Sequence, residues 1–417
     1  MTHFSKVLAA ATALTMVTGL ALAQSNESDV DQLGNFNSVS VTQSGRVNTA
    51  GTASRPLTQA GNSNDATITQ SGNRNSVGEL ANGLNGTVGI RQESGASPSD
   101  RRQNVLTIEQ TSGLNTVGAV FQQSAMAGDT TSNSLSIQQS GFGVNSVNSV
   151  LQSKASEASN VANITQTGTL NVLDRVSQQS SGAAGVNSVT VSMSGTLNGL
   201  RTNPLTGFAA ASGAQTSSLL QSGRGNSIDL DVGGIGNQFG ITQTGENNTV
   251  GRITIGGLGN QVGAVQSGDG NEIELSAVDG IGNDIGIVQF GDDNVASVGV
   301  DGGFNSVLTS QGGNGNSATL LIDGDFNGGS RNFSGPALTA AGGLTSGLIN
   351  QFGDLNEAAL SIDGNRNAFV LSSTGNQNQI AAAVDGNNNQ LAVVQSGNAN
   401  AAFVTQTGNN NNVGITQ

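Results

Sequence analysis

The chain has no cysteine, no tryptophan and no tyrosine, and its single histidine is His3. Without thiols it forms no disulfide and offers no thiolate to a metal. Beyond residue 23 there is no imidazole either, which excludes the common zinc sites and the nucleophile–histidine triads. Proline is limited to Pro56, Pro98, Pro204 and Pro336. All four fall in irregular stretches, where loss of a ladder hydrogen bond is harmless. Only 10% of residues are charged, too few for a charged disordered segment. Basic residues number 14 against 28 acidic ones, for a net charge of −14 and no basic cluster. That balance argues against nucleic acid as a partner. After residue 23 no apolar run is long enough to cross a bilayer.

What is abundant is glycine, at 61 of 417 residues, together with Asn, Gln and Ser. Low charge, many amides and little proline suit a stacked cross-β material. The first 23 residues read as a signal peptide. Lys6 supplies a positive start, Val7 to Leu22 is mostly apolar, and Ala21-Leu22-Ala23 is a small-x-small cleavage site. Removing them takes away one Lys and no acid, leaving 13 − 28 = −15. The expectation is an exported chain that owes its stability to something other than disulfides.

A repeat supplies it. Aligning the second half on the Asn of "GxxN" gives Asn226, Asn237, Asn248, Asn260, Asn271, Asn283, Asn294, Asn305, Asn316 and Asn327. The series resumes as Asn356, Asn367, Asn378, Asn389, Asn400 and Asn411. A Gly stands three residues before every one. Five residues before each Asn, Gln221, Gln243, Gln266, Gln289 and Gln311 alternate with Val232, Ile255, Val278, Val300 and Ile322. Gln351, Ile362, Val384, Gln395 and Gln406 continue the series, and Ser373 is the exception. The unit is therefore about 22 residues: a Gln strand, an arc, a Val/Ile strand and a second arc. Period-two alternation within each half marks a β-strand. Gly before Asn supplies the unusual backbone angles of a tight arc. These features predict an all-β fold, a β-solenoid with amyloid-like stacking of about 14 rungs at roughly 4.8 Å each.

The first half follows the same logic less tidily. Gln43, Gln70, Gln110, Gln139 and Gln166 close Gln strands, and further strands end near Gln122, Gln152 and Gln178. The expected layout is a signal peptide (1–23), a leader (24–37), irregular repeats with insertions (38–220), regular repeats (221–327), an insertion (328–346) and regular repeats to the end (347–417). Insertions are expected at 153–160, 201–217 and 328–346.

Stacked rungs place like residues above one another. A Gln side chain carries donors and an acceptor, so identical amides can bond along the stack. Gln43, Gln70, Gln110, Gln139, Gln166, Gln221, Gln243, Gln266, Gln289, Gln311, Gln351, Gln395, Gln406 and Gln417 are expected to form such a ladder. Asn226, Asn248, Asn271, Asn294, Asn316, Asn356, Asn400 and Asn411 are expected to join it. Gly223, Gly245, Gly268, Gly291, Gly313, Gly353, Gly397 and Gly408 are its turn residues.

Two carboxylate groupings invite a chemical reading. Asp279, Asp301 and Asp323 recur 22 residues apart, as do Asp363 and Asp385. They could line a calcium-binding edge, or each could bond its own turn backbone before Gly. Asp292/Asp293 and Glu272/Glu274 could be taken for a glycosidase pair. Charges that interrupt an aggregation-prone strand are the simpler account. No catalytic residue and no cofactor is expected.

The pattern resembles the curlin repeat of curli-type amyloid fibres, whose motif runs Gln-x-Gly-x-x-Asn-x-Ala-x-x-x-Gln. Gln395, Gly397, Asn400, Ala402 and Gln406 match every position, and Gln406, Gly408, Asn411, Val413 and Gln417 match with Val for Ala. Gln43, Gly45, Asn48 and Ala50 match the first four positions, as do Gln70, Gly72, Asn75 and Val77 with Val for Ala. The resemblance implies export through the periplasm, a dedicated outer-membrane pore, a nucleator or co-subunit, and self-association into extracellular fibres. On that reading the rung closed by Gln417 serves as a growth face. A monomeric solenoid adhesin or calcium-dependent binding module is the alternative.

Overall fold

The computed structural model describes residues 25–79, 89–95, 103–124, 131–141, 143–155, 157–181, 184–329 and 331–417, plus the backbone of 15–16. The rest of the expected signal peptide, with its cleavage site, and Pro98 lie outside the described residues. Strand makes up 59% of the chain and helix 3%, which places the protein in the all-β class.

Local alternation explains the strands. In Ser317–Asp323, Ala318, Leu320 and Ile322 are buried while Leu321 and Asp323 face out. The neighbouring strands repeat that parity in parallel and residue for residue, as in Ala318↔Ala358, Leu320↔Leu360 and Ile322↔Ile362. Each regular turn of the solenoid contributes one strand to each of two parallel sheets, joined by two arcs, while in the earliest turns one of these strands is split, as in Thr49–Ala50 with Leu57–Ala60. The interior between the sheets is narrow and filled by Ala, Val, Ile, Leu and amides.

The arcs have a steric cause. Gly268 sits at φ +122°, and a Cβ there would lie 2.1 Å from the Gly291 carbonyl oxygen of the next rung. Rung spacing and backbone angle thus both demand glycine. Residues just before the arc Asn also enter the left-handed region, including Phe304 at φ 58° and Phe326 at φ 60°. Bulky side chains adopt that conformation rarely.

The chain divides into two compact units, one formed by 1–163 with 178–186 and the other by 164–177 with 187–417. In the first unit, Ser38–Gln43, Asn64–Gln70, Asn104–Gln110 and Asn133–Gln139 belong to one sheet. Thr116–Ser124 and Ser146–Lys154 belong to the other. In the second unit, one sheet runs from Ser227–Val232 to Ala401–Thr407 and the other from Ser218–Arg224 to Asn412–Thr416. These are called the first and second sheets below. About 14 turns are present, with a mean spacing near 26 residues. The 22-residue step holds where Asp301 pairs with Asp323, but the next step to Asp363 spans 40 residues because an insertion intervenes.

Three expectations change. Within the expected leader 24–37, Glu27–Ser28 and Val30–Leu33 already pair with Thr49–Ala50 and Leu57–Ala60. The stretch 153–160 is mostly strand ends, because Ser146–Lys154 and Ala158–Gln166 are each nine residues long. The insertions at 201–217 and 328–346 are not irregular throughout. Each holds a short helix, α1 (Gly207–Ala211) and α2 (Gly335–Ala341).

Candidate functional site

The chemistry of this protein lies in columns, one residue per rung. In the second sheet of the second unit, Gln243 Nε2 donates to Gln266 Oε1, Gln266 to Gln289, Gln289 to Gln311 and Gln311 to Gln351, each at 2.9 Å. The other amide hydrogen of Gln243 goes to the Ser227 carbonyl across the interior, at 2.9 Å. Both donors are therefore used, and a buried amide left unpaired would cost about 1–3 kcal/mol. Gln221 Nε2 starts this run by donating to Gln243 Oε1 at 2.9 Å. Ser373 interrupts it, and its hydroxyl donates to Gln395 Oε1 at 3.4 Å. Gln395 then donates to Gln417 at 2.9 Å.

The glutamines expected as one series occupy different sheets. Gln43, Gln70, Gln110 and Gln139 form a ladder in the first sheet of the first unit, at 2.8–2.9 Å. The second sheet of that unit holds its own ladder through Gln32, Gln59, Gln92, Gln122, Gln152 and Gln178. The first unit is thus amide-lined on both sheets, and Gln32, Gln59 and Gln92 were not anticipated. In the second unit the first sheet carries apolar residues at that position: Met193, Val232, Ile255, Val278, Val300, Ile322, Ile362 and Val384. Gln166 Nε2 meets Met193 Sδ at 3.6 Å there. Gln406 stands against Val384. It is 3% exposed, donates to the Gln390 carbonyl, and its Oε1 has no donor.

The asparagines act in the arcs. Asn271 receives its place from the rung before, where Asn248 Oδ1 accepts from both its N and its Nδ2 at 3.0 Å. Its Nδ2 also donates to the Gly291 carbonyl of the rung after, at 2.6 Å. Asn226, Asn248, Asn294, Asn316 and Asn356 sit in the same column with equivalent bonds. Asn400 N and Asn411 N donate to Asn378 and Asn389. Gly223, Gly245, Gly268, Gly291, Gly313 and Gly353 present their carbonyls or φ-positive backbone along that column, and Gly397 follows, while Gly408 belongs to the opposite arc beyond Gly386.

A further ladder escaped the sequence reading. The residue after the arc Gly accepts from its counterpart one rung earlier: Asp269 N donates to Asp292 Oδ1, Asp292 N to Asn314 Oδ1 and Asn314 N to Asp354 Oδ1, all at 2.9 Å. The recurrent Gly-Asp and Gly-Asn pairs were its signal. Asp292 is thereby engaged in arc structure rather than poised opposite another carboxyl. Asp279, Asp301, Asp323, Asp363 and Asp385 stand in register at one edge of the first sheet. They follow one another along the stack, one per rung. Asp279 Oδ1 accepts from its own Gly280 N at 2.8 Å. Among the described residues no three His, Cys, Asp or Glu side chains are grouped to hold a metal.

The two insertions form matching straps over the outside of the second sheet. In the first, Gln261 Oε1 accepts from Thr206 N at 2.7 Å, and the Asp284 carboxylate accepts from Phe208 N and Ala209 N, both at 2.7 Å. In the second, Gln390 Oε1 accepts from Ser334 N at 2.6 Å and Asn412 Oδ1 from Ala337 N at 2.8 Å. The contact is so close that a Cβ on Gly263 would lie 2.1 Å from the Ala209 oxygen, and one on Gly414 2.1 Å from the Pro336 oxygen. Glycine inside a strand marks such an approach. "QVGAVQ", "DIGIVQ" and "NVGITQ" carried that signal. Burial beneath α1 pushes the Asp284 carboxyl up, against the opposing pull of its two backbone hydrogen bonds.

These columns are the setting for the comparison with known families. Residues 386–417 match the curlin associated repeat. The two rungs concerned hold the Gln395–Gln417 bond and the Asn389–Asn411 pair. A curlin repeat on a β-solenoid fits a curli-like structural subunit. Curlin-repeat proteins are structural rather than catalytic, and extracellular or surface-located. No curated protein matched the chain. Among the described residues no helix is long and apolar enough to cross a membrane.

Proposed function

We propose that this protein is a secreted structural subunit that joins end to end into curli-like amyloid fibres, serving surface adhesion and biofilm matrix. One observation carries the reading. From Gln221 to Gln351 each rung repeats the donors and acceptors of its neighbour in an unbroken ladder. A rung from another copy therefore meets the same chemistry as a rung of its own chain. Export through the periplasm with cleavage after Ala23, an outer-membrane secretion pore and a nucleator or co-subunit complete the proposal. The test is incubation of the purified protein, with and without preformed seeds, followed by thioflavin signal and electron microscopy. Seedable, thioflavin-positive fibres are expected. A persistently monomeric, thioflavin-negative species would overturn the reading and favour a solitary solenoid adhesin.

A further inference from the structure

Between the second strap and the adjoining arcs lies an open cleft of about 900 Å³. Its aromatic wall is Phe304 and Phe326, rings stacked with centroids 5.0 Å apart and planes 12° from parallel. Both residues hold the left-handed backbone common to this arc position, φ 58° and 60°. The Arg366 guanidinium lies 5.9 Å from the Phe326 centroid. Arg331, from the strap, donates its Nε to the Phe326 carbonyl at 3.1 Å.

Successive rungs thus present, at the arc position before the buried Asn, Phe304, Phe326, Arg366, Asn388 and Asn410. The order is two aromatic faces, a cation and two amides, at steps of roughly 4.8 Å. Neither arginine has a carboxylate partner among the described ion pairs. Arg331 is held below its ordinary range by burial and then by the charge of Arg366. Both guanidiniums line this cleft, on a chain of net charge −14.

The first strap is an internal control. Its corresponding arc positions are Leu170, Leu197 and Gly236, and its Arg201 lies 3.8 Å from the Asp174 carboxylate. Latch and sheet contact are conserved between the two straps, while the aromatic–cationic lining is found only in the second. Strap architecture therefore does not require that lining.

We propose that this cleft binds an acidic polysaccharide, a uronate-containing glycan lying along the stack. The C–H face of a sugar ring packs on Phe304 and Phe326, a uronate carboxylate takes the paired guanidiniums, and hydroxyls meet Asn388 and Asn410. A chain of such negative charge disfavours the denser phosphate backbone of nucleic acid. The inference does not depend on fibre formation.

The experiment is calorimetric titration of the full chain with an oligogalacturonate, a neutral galactan oligomer and single-stranded DNA. Arg366→Asn installs the residue that occupies the next two rungs at this position, so folding is retained. With Arg331→Gln it should weaken oligogalacturonate binding at least tenfold, and Phe304→Ala should weaken it severalfold. Arg201→Ala, in the first strap, should change nothing. The proposal is overturned if the acidic oligomer does not bind, if the neutral oligomer or DNA binds as tightly, or if the Arg331/Arg366 double variant binds like the wild type. Circular dichroism of each variant separates lost binding from lost fold.

Discussion

The two sheets of the second unit solve one packing problem in two ways. At equivalent interior positions the second sheet stacks Gln243, Gln266, Gln289 and Gln311, while the first stacks Ile255, Val278, Val300 and Ile322. Backbone, arc and spacing are shared, so the difference lies in what each side chain requires of its neighbours. An apolar residue needs only to be covered. A buried amide needs another amide above and below it, or it pays for lost hydration with nothing in return. The apolar column is therefore tolerant, whereas the amide column also fixes register. Two residues show the exchange imperfectly made: Ser373 within the Gln column, and Gln406 against Val384 with its Oε1 unpartnered.

The arcs serve both sheets, so a change there should be the most damaging and should erase the comparison. Gly268→Val adds a strained φ and a backbone clash with the Gly291 carbonyl. We expect a loss of about 3 kcal/mol or more, read as a collapse of the thermal melt. Next comes a matched pair. Gln266→Leu removes the side-chain acceptor of Gln243, whose Nε2 keeps only the Ser227 and Asn248 carbonyls, and leaves Gln289 Oε1 without its donor, for a loss of about 2–5 kcal/mol. Val278→Ala, between Ile255 and Val300, should cost only about 2 kcal/mol. Denaturant titration of both variants distinguishes the columns; equal losses would remove the special standing of the amides.

Gln406→Val sharpens the contrast by reversing its sign. The same residue type that stabilises the second sheet is half-satisfied in the first, so its removal should raise stability by about 1 kcal/mol. A destabilised variant would mean that Oε1 has a partner in solution.

The smallest effect concerns the straps. The folded Asp284 carboxyl is raised above its ordinary 3.8. Its contribution to stability is therefore fully present below the ordinary carboxylate range and lost as pH rises through the raised value. The first strap should become more protected from proteolysis as pH falls from neutral toward that range. Asp284→Asn, which copies Asn412 of the second strap, should flatten the dependence; an unchanged slope in the variant would assign it to another group.

Much of this was legible in the sequence, because a repeat writes the same local instruction many times. Strand parity, the arc glycines and the 22-residue step all follow from alternation and the Gly-x-x-Asn spacing. Sheet membership does not, because Gln in either sheet has the same parity toward the interior. Two half-turns, ending at Gln178 and Met193, separate Gln166 from Gln221, so the Gln series passes from the first sheet to the second without a change in local pattern. The straps were hidden because short Ala-rich segments fold only against the glycines they cover, far away in sequence. Of the cleft, Phe304, Phe326 and Arg366 occupy one variable arc position on successive turns, and Arg331 arrives from an insertion. No local motif joins them.

The central claim, that buried Gln amides bond rung to rung, is open to direct measurement. Hydrogen exchange of the side-chain amides in ¹⁵N-labelled protein, followed by NMR, reports on each ladder. The account predicts that the Nε2 protons of Gln243, Gln266, Gln289 and Gln311 exchange as slowly as the backbone amides of the strands that carry them. Exchange at the rate of a free, solvated glutamine would contradict it.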